Sequence, residues 1–259
     1  NSAGKTLVST TTGIAQQEGL LNINNKVSQY LGNGWSSEPL EKENLITNRN
    51  LLTMTSGLND ESNWVIKSNL TYLADAGSRW SYSNVFQLLI NVIGKASNQD
   101  FETYFNAKLK NKIGMDGFWN FGTIFTIYHS NTRSMARFGL LLLNKGKWKT
   151  EQIINENYVN ETTNSSQDIN PSYGYLCWLN GKSKYMVPGS QTVYPTALVP
   201  NAPSDMFSAM GAEDQRIYVI PSKNMVIVRM GDASDPQNPN FALSGFDTAL
   251  WDKINAVVR

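Results

Sequence analysis

Ser2 and Lys5 stand three residues apart in Asn1-Ser-Ala-Gly-Lys-Thr6, ahead of a helix-compatible run. That spacing puts a hydroxyl and an amine on one helical face, a turn apart. There the amine can take the hydroxyl proton while the positive helix end favours the developing negative charge, which is the chemistry of a nucleophile for acyl transfer. The same residues allow plainer readings: a helix-capping serine beside a solvated lysine, or, in Gly4-Lys5-Thr6, the tail of a phosphate-cradling loop. The phosphate reading needs a preceding strand and an acidic strand end for magnesium, and neither is visible.

Two later segments bear on the choice. Trp80-Ser-Tyr-Ser-Asn84 sets Tyr82 and Asn84 two apart before the apolar run Val85 to Ile93, so on an extended segment both side chains point the same way into a cleft. Near the end, Phe207-Ser-Ala-Met-Gly-Ala-Glu-Asp-Gln215 precedes Arg216-Ile-Tyr-Val-Ile220, a turn at Pro221 to Asn224, and Met225 to Met230, the pattern of strands joined by tight turns.

In this order the segments resemble the serine β-lactamase and penicillin-binding-protein superfamily, and within it the class C-like esterase and 6-aminohexanoate-dimer-hydrolase branch. Gly13 to Leu21, Leu52 to Leu58 and Ser134 to Leu140 add to the likeness, which spans nearly the whole chain. The resemblance implies an α+β fold of the β-lactamase/transpeptidase type, an antiparallel sheet flanked by helices plus a mainly helical lobe, with N-terminal strands missing from this chain. It makes Ser2 the acylated nucleophile, Lys5 the proton acceptor and Tyr82 the relay to the leaving group. Asn84 would hold the substrate amide or the lysine. The backbone N–H groups of Ser2 and of Ala212, after Gly211, would form the oxyanion hole. Where relatives carry Lys-Thr-Gly or His-Thr-Gly, this chain reads Ala209-Met-Gly211, so a lactam carboxylate loses its partner. Glu213 and Asp214 then add negative charge at the expected mouth. The expectation is a serine hydrolase for an ester, amide or short peptide, a weak β-lactamase at most; the competing reading is a catalytically silent sensor related to penicillin-binding proteins. Two-step acyl transfer requires no cofactor. The family implies a periplasmic or extracellular location, although no signal peptide is visible.

Composition narrows the classes further. A chain of 259 residues with 41% hydrophobic content buries one substantial core. A net charge of +1 argues against a nucleic-acid partner. His129 is the only histidine, which disfavours a zinc hydrolase and leaves a serine-histidine triad a single candidate base. Cys177 is alone, so there is no internal disulfide. The longest aliphatic run, Leu140 to Leu143, is far too short to span a membrane. The sequence carries no signal of oligomeric state.

The expected layout is a sheet lobe from 1–21 and 161–259 with a helical lobe, 22–160, inserted between. Helices are predicted over 3–20, 51–55, 85–93, 101–112, 132–143, 151–158 and 246–258, with Asp100 and Thr150 as caps. Tyr173 to Leu179 reads as a strand closed by an Asn180-Gly181 turn, and 188–203 as a loop.

Overall fold

The computed structural model describes residues 1–122, 124–237 and 245–258. In chain order its helices are α1 (Lys5–Gln17), α2 (Ser28–Leu31), α3 (Leu40–Glu43), α4 (Asn48–Leu52), α5 (Leu88–Ser97), α6 (Phe101–Phe105), α7 (Asn111–Ile113), α8 (Thr132–Leu143), α9 (Glu156–Thr162) and α10 (Phe246–Val257). The strands are β1 (Gly117–Asn120), β2 (Ile127–Ser130), β3 (Lys147–Trp148), β4 (Glu151–Gln152), β5 (Trp178–Leu179), β6 (Phe207–Gly211), β7 (Gln215–Ile220) and β8 (Met225–Arg229).

Helix α1 is the spine. A 3₁₀ turn, Ser2–Gly4, leads into it, and every residue from Lys5 to Ala15 is buried. Three of its buried threonine hydroxyls reach backbone carbonyls, while those of Ser9 and Thr10 are buried with no hydrogen-bond partner among the described residues. Thr11 and Thr12 donate to the carbonyls of Leu7 and Val8, and Thr6 donates to the carbonyl of Leu176 at 2.7 Å. Leu7, Val8 and Ile14 fill the core around it.

The sheet β5-β6-β7-β8 is antiparallel throughout, with Trp178 opposite Ser208, Gly211 opposite Gln215 and Tyr218 opposite Ile227. Alternation along β7 sends neighbouring side chains to opposite faces. Ile217 meets α8, where a Cβ on Gly139 would fall 3.0 Å from Ile217 and 2.6 Å from Val226, so the bare glycine lets the helix lie flat on the strands. Tyr218 instead meets Trp251 of α10, ring centroids 5.7 Å apart. Helix α8 was expected in the helical lobe 22–160. It lies on the sheet, because its apolar face of Met135, Phe138, Leu141 and Leu142 has β7 and β8 to cover.

Several local expectations are corrected. Phe101 to Ile113 is helical but passes through a π-turn at Asn106–Lys110, after Asp100 caps its start by accepting from Thr103 N. The stretch 151–158 opens as strand β4; the helix begins later, capped by Asn155 and not Thr150. Tyr173 to Leu179 is a tight turn before it is a strand: Leu176 adopts φ 51°, and Gly174 N donates to the Cys177 carbonyl. The amide of Asn180, expected in a hairpin turn, instead donates to the carbonyls of Val199, Ala202 and Pro203 and ties down the loop 188–203. Hairpin β1–β2 was not anticipated within the helical stretch. Its Trp119 and Tyr128 pack on Phe105 and close over Gly4, at the start of α1.

Candidate active site

Three elements converge where α1 begins. The 3₁₀ turn and first helical residue supply Ser2 and Lys5; the segment 80–84 supplies an aromatic wall and Asn84; the end of β6 supplies Gly211 and Ala212. Lys5 Nζ donates to Ser2 Oγ at 2.8 Å. Its side chain is 6% exposed, and the nitrogen lies 4.7 Å from the centre of the Tyr82 ring and 4.5 Å from that of Phe86. Burial lowers the Lys5 pKa from 10.5 to about 7, so near neutral pH a large share of the amine is unprotonated. The 2.8 Å contact then serves equally for the serine hydroxyl to donate to the amine lone pair.

Tyr82 completes the centre. Its hydroxyl is hydrogen-bonded to the side chain of Ser2 and accepts from the indole N–H of Trp178. Burial raises its pKa well above the ordinary phenol value, against the smaller opposing effects of those bonds and of the Arg216 charge, so it remains protonated. The ring is wedged among aromatics: stacked on Trp178 at 5.6 Å, edge-on to Tyr173 at 6.0 Å and tilted against Trp80 at 6.4 Å. Such packing removes the rotamer freedom that would blur a proton path.

Asn84, in a 3₁₀ turn capped by Ser83, has its carboxamide fixed from one side. Nδ2 donates to the carbonyls of Asn63 and Ile124, at 3.2 and 2.9 Å. Two carbonyl partners determine which end of the amide is nitrogen, leaving Oδ1 as the atom able to accept from a substrate N–H. The nitrogen is therefore committed to the scaffold, and Lys5 donates to Ser2 instead.

Gly211 lies against the backbone of Ser2 and Ala3. A Cβ there would be 3.1 Å from Ser2 N and 3.0 Å from Ala3 N, so only glycine allows β6 to come this close. Ala212 follows at the strand's end. Glu213, with φ 60°, sits on the exposed hairpin tip and lines neither hollow itself, but its Oε2 accepts from Nδ2 of Asn1, which borders the recess. Asp214 turns inward, accepting from Ser234 and lying 3.5 Å from Arg216. Ala209 and Met210 are buried in the core and present nothing to a ligand.

Two hollows meet at Ser2 and Lys5. A cleft of about 490 Å³ is lined on its polar side by Asp60, Arg79, Ser81 and Gln191, with Tyr82 and Asn84 at its base. A recess of about 140 Å³ is bounded by Phe86, Phe125, Ile127 and Ala212. A larger hollow, about 800 Å³, runs beside α5 and α6 past Ile90, Lys95, Asp100 and Phe101; it holds no serine, threonine or cysteine and is remote from Ser2. The convergence of hydroxyl, amine and phenol, and not size, marks the active cleft. His129 lies on β2, exposed and stacked on Phe118, and lines neither hollow at Ser2. Sequence reasoning missed Asp60, Arg79 and Phe86. Arg79 and Asp60 form an ion pair at 2.8 Å whose partners are 19 residues apart, and only the fold brings them together.

A profile of the Beta-lactamase family matches residues 1–242. The chain belongs to the beta-lactamase family. Its fold, of the β-lactamase/transpeptidase type, is shared with a family VIII carboxylesterase at a TM-score of 0.73 and 14% identity, over 98% of this chain and 82% of that one. A putative beta-lactamase from Bacteroides dorei DSM 17855 superposes with a TM-score of 0.71 at 16% identity, covering 97% and 84%. A putative 6-aminohexanoate-dimer hydrolase from Bacillus anthracis gives 0.71 at 16%, covering all of this chain and 73% of its own. No curated protein matches. Among the described residues, no helix of this beta-lactamase family member is long and apolar enough to cross a membrane.

Proposed function

We propose that this protein is a serine hydrolase that forms an acyl-enzyme on Ser2 from an ester or amide. The observation that carries the reading is the buried Lys5 amine, brought to about pH 7 and held 2.8 Å from a serine hydroxyl at the floor of an open cleft. Neutral Lys5 accepts the proton of Ser2 as Oγ attacks the carbonyl carbon. The carbonyl oxygen gains the negative charge, and the N–H groups of Ser2 and Ala212 stabilise it. As the tetrahedral intermediate collapses, the bond to the leaving group breaks. The leaving group takes the Tyr82 proton while Lys5 returns its own to Tyr82. Water, activated by the same amine, then attacks the acyl carbon and releases the acid and free Ser2.

In this reading the small apolar recess receives the acyl group, and the larger polar cleft, on the Tyr82 side, receives the leaving group. Asn84 Oδ1 accepts from a substrate amide, and the proposed sheet and helical lobes meet along the cleft. Neighbours named as carboxylesterase and dimer hydrolase support ester and amide chemistry. With Ala209 and Met210 buried in place of a cationic side chain, hydrolysis of lactams is weak at most. A secreted or periplasmic setting accords with the family.

Intact mass after exposure to a fluorophosphonate tests the reading. A single adduct that disappears in Ser2→Ala establishes an activated serine. A folded protein that takes up no label is instead a silent binding relative.

A further inference from the structure

Behind the site lies a charged side chain that the proposed reaction does not use. Arg216, on β7, has no exposed side-chain surface. Its Nε and Nη2 donate to the two oxygens of Asp247, at 2.7 and 2.9 Å, in a two-pronged pair with the first turn of α10. Tyr218 donates to the same carboxylate. Burial opposes the guanidinium charge, and Asp247, Tyr218 and Asp214 together more than offset it. The remaining prong, Nη1, donates to the Gly211 carbonyl at 2.8 Å.

That carbonyl belongs to the peptide joining Gly211 to Ala212. In a trans peptide the C=O and the N–H point in opposite directions. A cation holding the Gly211 oxygen behind β6 therefore leaves the Ala212 N–H directed away from it, toward the side where Gly211 abuts Ser2 and Ala212 lines the recess. Charge on the carbonyl side also polarises the amide, making its N–H a stronger donor. We propose that Arg216 is a positioning residue, whose guanidinium, fixed by Asp247, orients and polarises the peptide that binds the oxyanion. The inference rests on the acyl-transfer reading above. It explains why a chain whose strand lacks a cationic side chain at Ala209 or Met210 keeps a buried cation on the neighbouring strand.

The test compares Arg216→Lys, the double variant Arg216→Met/Asp247→Asn, and Tyr218→Phe with wild type. The double variant removes the guanidinium without stranding a buried carboxylate. Tyr218→Phe loosens the same network but does not touch Gly211. Turnover of p-nitrophenyl acetate is measured at saturation and at low concentration, well below each protein's melting temperature. Because one oxyanion donor is worth roughly a hundredfold or more in kcat, weakening it is expected to cost about tenfold or more. That loss falls on kcat in the two Arg216 variants, with KM within about twofold and the midpoint of the pH profile unmoved, while Tyr218→Phe keeps its kcat. The ¹³C shift of the Gly211 carbonyl and the proton shift of the Ala212 amide move in the same two variants. A merely structural arginine lowers stability in all three and leaves kcat and these shifts alone, which overturns the proposal. Wild type that neither labels with fluorophosphonate nor turns over ester refutes the serine-hydrolase reading and this one together. A labelled wild type with indifferent Arg216 variants refutes this one alone.

Discussion

Replacing Lys5 by methionine is expected to make the protein more stable in mild acid and to flatten its dependence on pH. The side chain is buried, and burial alone brings its pKa from 10.5 to about 7. Between those values the unfolded chain holds a proton that the native state lacks, so stability rises as pH rises through the window; below about pH 7 the full cost of the buried ammonium is present. Each pH unit in the window is worth up to about 1.4 kcal/mol, and integration from pH 6 to pH 9 gives on the order of 3 kcal/mol gained by wild type from this one group. Methionine has no proton to lose and keeps the apolar stem. At pH 6 it relieves the desolvation cost and forfeits the bond to Ser2, worth about 1 kcal/mol, together with ring contacts worth up to about 2 kcal/mol. The variant should therefore exceed wild type by about 2 kcal/mol at pH 6 and be level with it or below it near pH 9. Urea unfolding followed by tryptophan fluorescence at pH 6, 7, 8 and 9 measures the difference, and groups common to both proteins cancel. Parallel stability curves for the two proteins would refute the buried-amine argument, and with it the role of Lys5 as base.

Esterase activity of wild type should rise with pH through about 7 as Lys5 loses its proton, because only the unprotonated amine accepts from Ser2; kcat/KM against pH for a neutral ester reads the midpoint. Gly211→Ala should cut kcat by roughly tenfold or more, since its Cβ would press on the backbone nitrogens of Ser2 and Ala3 and shift the oxyanion peptide, while thermal unfolding still shows a folded protein. Gly13→Ala should instead destabilise by about 1–3 kcal/mol, its Cβ falling 2.4 Å from the Tyr158 ring, with kcat/KM unchanged below the melting temperature. Asn84→Asp places oxygen against the carbonyls of Asn63 and Ile124 and should cost about 1–3 kcal/mol in urea titrations at pH 8.

Much of this arrangement was legible in the residues. The spacing of Ser2 and Lys5 led to a contact because a helical start fixes neighbours three apart; Tyr82 and Asn84 both line the cleft, although Asn84 already lies in a 3₁₀ turn and not on the extended segment the spacing suggested. The helices α1, α8 and α10 and the strands β6 to β8 carried periodicity or turn chemistry of their own. What escaped depends on distant partners. Tyr173 to Leu179 has strand composition, yet the carbonyl of Leu176 is claimed by Thr6 and its N–H by the Leu52 carbonyl, which bends it into a turn. Hairpin β1–β2 forms where Phe105 offers its aromatics a surface, and no local pattern announces that. Glu213 was placed near the site by proximity in sequence; a left-handed turn conformation sets it on the hairpin tip, where it reaches the site's edge only through Asn1.

The burial of α1 from Lys5 to Ala15 has a further consequence, for motion. Local openings that expose backbone amides are governed by how much packing must be undone, and the helix that carries Lys5 and follows the turn of Ser2 is buried from Lys5 to Ala15. Amides from Val8 to Ala15 should then exchange with deuterium only through global unfolding, whereas those of the exposed loop around Glu61 to Ser68 exchange through small local excursions. On the proposed reading, substrate traffic and chemistry fall to regions of different compliance: the rim of the cleft can reshape around different leaving groups while α1 holds Lys5 in a single geometry until the whole molecule unfolds.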